Sequence, residues 1–114
     1  MYDLLIKGGL VIDPSQDLHQ VSDVALEKGK IARVAPSLPP ENASRVIDVK
    51  GKVVTPGLID LHTHVYHGVN SNGVQADVGG VQAGVTTMVD AGSAGCDTFG
   101  GFPLHIVPNN QTEI

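Results

Sequence analysis

No lysine or arginine follows Lys52. Residues 1–52 hold seven acidic and seven basic side chains, whereas residues 53–114 hold five acidic ones and no base, so the second half carries the whole formal charge of −5. Nucleic acids and anionic membrane surfaces are met by clustered Lys and Arg, so neither is expected as a partner. Cys96 is the only cysteine. An internal disulfide is therefore excluded, a reducing cytoplasm is the natural expectation, and Cys96 itself reads as a small loop residue. No run of 18 apolar residues exists, and Met1-Tyr2-Asp3 lacks the basic start of a secretory leader. The expectation is a soluble, intracellular protein.

What is present centres on Val53-Val54-Thr55-Pro56-Gly57-Leu58-Ile59-Asp60-Leu61-His62-Thr63-His64. Pro56-Gly57 ends one segment, and a short apolar strand follows it into two histidines spaced i, i+2. Alternate side chains of a strand share a face, which puts Leu58, Asp60, His62 and His64 on one side and Ile59, Leu61 and Thr63 on the other. Two imidazoles at one strand end can hold a single cation at roughly 2.0–2.1 Å. A bare His-x-His is also met by chance in exposed or core positions. Its place at the C-terminal end of a strand, where parallel barrels build their sites, favours the metal.

Before this stretch the pattern is that of short strands. Leu4-Leu5-Ile6 and Leu10-Val11-Ile12 flank Gly8-Gly9, which predicts two strands and a tight glycine turn. Residues 15–20 read as a polar loop in which His19 is solvated. Val24 and Leu26, then Ile31 and Val34, flank the turn-like Lys28-Gly29 and predict a hairpin. Residues 36–43 form a proline-rich connector, and Val46-Ile47-Asp48 and Lys52-Val53-Val54 complete a set of about five or six strands. Such an open set has edges and a modest core, and is expected to be marginal alone.

After His64 comes a polar, glycine-containing loop carrying Tyr66 and His67. Residues 74–83 could form a helix, with Val74, Val78 and Val81 spaced by four and three. Gly79-Gly80 costs it about 1 kcal/mol per glycine, so an irregular helix is expected. Gly84 suits a C-cap, and Val85-Thr86-Thr87-Met88-Val89 is strand-like. Asp90 and Ser93 read as loop-capping or turn-forming residues, His105 lacks a partner at metal spacing, and residues 99–107 suit a short helix or turn. Gln111-Thr112-Glu113-Ile114 has the look of a third strand beginning.

The stretch Val54 to His64 resembles the first barrel strand of the amidohydrolase superfamily, the dihydroorotase-like metal-dependent hydrolases. Asp3 to Asp13, Asp23 to Ala32 and Val46 to Gly51 resemble that family's N-terminal β-domain, and Gly84 to Gly92 its second barrel strand. The fold implied is β followed by α/β: part of a composite β-sandwich over residues 1–54, then over residues 55–114 the first two strand-helix units of an incomplete TIM-like (β/α)8 barrel. A complete barrel needs about 250 residues, so the resemblance implies the N-terminal portion of a larger enzyme. It also implies that His62 and His64 ligate the more buried of one or two divalent ions, commonly zinc. A bridging carboxylated lysine, two further histidines and a general-base aspartate come from later strands, so no catalytic residue is expected within the chain and the general base lies beyond Ile114.

Dihydroorotases typically place an arginine two residues after the second histidine; Tyr66 stands there, which disfavours that activity. The text around Tyr66, Asp90 to Gly95 and Phe99 to Phe102 is similar to the amidohydrolase/deacetylase branch. The implied function is hydrolysis of non-peptide C–N bonds in small N-acyl compounds, with Tyr66 and His67 as candidate substrate contacts and a homo-oligomer as the full-length form. The alternative is a truncated, catalytically inactive piece that needs a partner chain. Asp60 is expected to act in structural hydrogen bonding.

Overall fold

The computed structural model describes residues 1–114, which form two compact units, Met1–Pro56 and Gly57–Ile114.

The first unit is one mixed sheet of five strands. Strand β1 (Leu4–Asp13) pairs antiparallel with β2 (Leu18–Glu27), which pairs antiparallel with β3 (Lys30–Ala35). The short strands β4 (Val46–Asp48) and β5 (Val53–Val54) share the other edge of β1, both parallel to it. Lys28 and Gly29, at φ 52° and 73°, form the β2–β3 turn. Two successive positive φ angles match the twist that a two-residue hairpin needs.

The predicted turn at Gly8-Gly9 does not form. β1 runs straight through it, with a bulge between Ile6 and Gly9 where the register with β2 shifts. Gly8 takes φ +76° there and donates its N–H to Asp23 Oδ1 at 2.8 Å. A glycine in mid-strand relieved the bulge instead of reversing the chain. The reversal falls at residues 14–17, where Asp13 accepts from the Ser15 amide and hydroxyl and from Gln16. β2 therefore starts at Leu18, inside the predicted loop, and His19 is an exposed strand residue opposite Ile12.

Leu5, Ala25 and Leu38 make the buried core of this unit, with Tyr2, Ala35 and Ala43 packed on it. Asp23, 2% exposed, ties the proline-rich connector down. It accepts from Lys7 Nζ, the Gly8 amide and the Leu38 amide, each at 2.8 Å. Burial alone would raise its pKa. Lys7 and the two amides outweigh that, and the carboxyl sits below its ordinary range.

In the second unit β6 (Leu58–Thr63) and β7 (Val85–Asp90) pair in parallel. Glu113 joins β7 as a parallel bridge at Thr87, its N–H donating to Thr86 O and its carbonyl accepting from Met88. Between the strands the predicted irregular helix is one turn, α1 (Ala76–Gly79), followed by a 3-10 turn at Val81–Ala83 and by Gly84 in the left-handed region. A Cβ at Gly80 would collide with the hydroxyl of the buried Thr112, so the helix breaks where Thr112 packs. With a single turn there is no apolar helical face: Val74, Val78 and Val81 are exposed, and Ala76 is the residue that enters the core with Val65 and Met88. Phe102–Ile106 forms a π-helical turn and Val107–Asn109 a 3-10 turn.

Candidate metal centre

β6 delivers the two histidines to its C-terminal end, His62 just inside the strand and His64 just beyond it. Their ring centroids are 5.7 Å apart and the planes cross at 84°. Imidazoles sharing one ion at about 2.0–2.1 Å with near-tetrahedral angles have ring centres roughly 5 Å apart, so the pair fits a common cation. His62 is exposed, and its amide donates to Asp60 Oδ1 at 3.1 Å. Asp60 thus braces the main chain of the histidine strand.

His64 is held far more closely, by the loop that follows β7. Thr63 Oγ1 donates to Val89 O at 3.1 Å, and Thr63 O accepts from Ala91 at 2.8 Å. On the other flank, the Val65 amide donates to Asp90 Oδ2 at 2.8 Å. His64 Nδ1 lies 3.0 Å from Ser93 Oγ. Its carbonyl accepts from the Val74 amide at 2.9 Å. Asp90 Oδ1 in turn accepts from the Ser93 amide at 2.6 Å and the Gly92 amide at 3.1 Å. Burial pushes the Asp90 pKa up, but the Val65, Ser93 and Gly92 amides and the Ser93 hydroxyl prevail, and the carboxyl is held below its ordinary range.

The two loop residues face other partners. Tyr66 is buried, its hydroxyl donating to Thr98 O at 2.9 Å and its ring meeting Phe102 edge-on at 5.2 Å. His67 is exposed, with Nδ1 3.2 Å from Gly73 O. His105 and Cys96 are also exposed. No group of three or more His, Cys, Asp or Glu side chains converges anywhere in the chain. A catalytic zinc takes three protein ligands and a water, so the two imidazoles fit as part of a ligand set.

Sequence reading assigned Asp90 and Ser93 to loop capping or turn formation; Asp90 caps the turn through the Gly92 and Ser93 amides, and the Ser93 hydroxyl caps no amide. It missed the reach of the Ser93 side chain to His64. The signal available was an Asp-x-Gly-Ser turn directly after a strand parallel to the histidine strand, which places that turn beside the strand's end.

The amidohydrolase family profile matches residues 45–102, just over half of the 114 residues. The chain belongs to the amidohydrolase family. A deacetylase of Agrobacterium fabrum is 41% identical over 86 residues, covering 75% of this chain and 21% of that protein. The crystal structure of a dihydroorotase superposes with a TM-score of 0.82 at 28% identity, over 100% of this amidohydrolase chain and 30% of the other. D-aminoacylase, described with a binuclear metal centre, gives a TM-score of 0.63 at 36% identity over 79% of this chain and 18% of its own. The chain spans about a fifth of the length of the deacetylase that it matches.

Proposed function

We propose that this chain forms the opening portion of a divalent-metal hydrolase of non-peptide C–N bonds, a deacetylase of small N-acyl compounds, in which His62 and His64 are metal ligands. The single observation that carries the reading is the convergence of the two imidazoles, 5.7 Å apart, at the end of a parallel strand in an amidohydrolase chain. Zinc suits the nitrogen ligands, and when bound with an open position it supplies hydroxide near neutral pH for attack on an amide carbonyl. The chain's own share is to hold the two imidazoles at a fixed spacing, with Asp60 bracing β6 and Asp90 bracing the loop that follows it. The exposed His67 stands on the same loop as a candidate substrate contact, and Tyr66 fixes that loop through Thr98. In this reading β6 and β7 open a (β/α)8 barrel and the five-stranded sheet is part of a composite sandwich. The remaining ligands and the general-base aspartate lie on later strands, and a reducing cytoplasm is the proposed setting.

A second reading, an inert piece that works only with a partner chain, is favoured by the missing third ligand and by the exposure of Leu58, Ile59 and Leu61 on β6. Cobalt(II) titration of the purified chain, followed by its visible absorption, tests the metal site. Binding that His62→Asn and His64→Asn each abolish is expected; uptake unchanged in the double variant would sink the assignment. Adding N-acetyl amino acids to the metal-loaded chain and assaying acetate separates the two readings. Turnover by the chain alone would rule out the inert piece.

A further inference from the structure

His62 and His64 are not held alike. No hydrogen bond is made by the His62 ring, whereas the ring of His64 meets Ser93 Oγ through Nδ1 at 3.0 Å. A serine hydroxyl has one proton to give and two lone pairs to offer, and a neutral imidazole has one N–H and one bare nitrogen. Which partner takes the Ser93 proton therefore decides which nitrogen of His64 is bare. Asp90 holds the turn from behind: its carboxylate receives the Ser93 amide at 2.6 Å and the amide of Val65, the residue after His64, at 2.8 Å. A histidine that ligates a cation through one ring nitrogen keeps its proton on the other and donates it to a neighbouring oxygen. Ser93 Oγ is the oxygen that stands at Nδ1 to accept that proton.

We propose that Ser93 is a positioning residue: its hydroxyl accepts the Nδ1–H of His64 and leaves Nε2 as the nitrogen presented to the cation, a role that rests on the metal-centre reading above. The turn makes the arrangement rigid at both ends. Asp90 fixes the Ser93 backbone, while Thr63 and Val65 on either side of His64 are bonded to Val89, Ala91 and Asp90. The ring thus arrives with its orientation set before any ion does. His62, without such a partner, is left to adjust.

Long-range nitrogen-15 to proton correlation spectra of the chain labelled at histidine read the tautomer without metal, at about pH 8 where imidazole is neutral. The His64 signals are assigned by their loss in His64→Asn. The expected result is an Nδ1–H ring in the wild type, a shift to the Nε2–H form in Ser93→Ala with the thermal midpoint unchanged, and recovery of Nδ1–H in Ser93→Thr. An Nε2–H or averaged His64 in the wild type overturns the proposal, and so does a Ser93→Ala spectrum identical to wild type. Cobalt(II) affinity is expected to fall about 10- to 100-fold in Ser93→Ala and to return in Ser93→Thr. Equal uptake by wild type and Ser93→Ala overturns the role of Ser93 and leaves the metal centre standing. A Ser93-dependent Nδ1–H ring in a chain that takes up no cobalt supports the tautomer assignment and overturns the metal centre instead.

Discussion

Asp23 in the first unit and Asp90 in the second are both buried enough to be costly as anions, and each collects backbone amides from loops. They differ in what answers the charge. Asp23 has the ammonium of Lys7 at 2.8 Å, so the first unit neutralises its carboxylate internally. Asp90 has three amides but no cation, and no Lys or Arg follows Lys52. A carboxylate held by dipoles alone keeps its full negative charge, and this one lies a single serine away from a histidine of the candidate centre. The contrast is one of place: the first aspartate ties a connector to its sheet, and the second braces the loop beside the candidate centre.

Removing each aspartate tests that contrast. Asp23→Ala is expected to lower the unfolding free energy of the chain by about 3 kcal/mol, because it strands Lys7 and two amides. Urea denaturation measures it, and a loss no greater than that of Asp90→Ala would erase the distinction. Asp90→Ala is expected to cost less, about 2 kcal/mol from amides that solvent can partly reach. Its larger signature is a 10- to 100-fold weaker uptake of cobalt(II), which Asp23→Ala should leave untouched. An equal effect of both variants on uptake would mean that Asp90 acts only through folding.

The smallest effect is in pH. Both carboxyls are held below their ordinary value in the folded state. Their stabilisation is therefore complete above the unfolded value near 3.9 and is lost as pH falls through the folded values. The difference in thermal midpoint between wild type and Asp23→Asn should stay flat from about pH 7 to pH 5 and shrink below about pH 4. A difference that shrinks between pH 7 and pH 5 would contradict the lowered pKa.

Local pattern reached the elements whose logic is local. The Lys28-Gly29 hairpin, the strand after Pro56-Gly57, the capping glycine at 84 and the strand at residues 85–90 are all set by neighbours a few positions apart. Gly8-Gly9 misled because a glycine pair serves a turn or a bulge equally well; the choice was made by Asp23, fifteen residues away, which claims the Gly8 amide. The valines at 74, 78 and 81 misled for a similar reason. Their spacing describes a helix longer than the one turn that Thr112 leaves room for.

The sequence by itself determined the two histidines, their shared strand face and the charge asymmetry of the two halves, because a period of two and a count of side chains need no distant partner. Only the tertiary structure decided that the two rings are held differently. The parallel pairing of β6 with β7 brings the Asp90 turn to His64, across 29 residues from Ser93, while no hydrogen bond reaches the ring of His62. Contacts between loops depend on which strands lie side by side, and that is fixed by long-range pairing and packing, which no local pattern encodes.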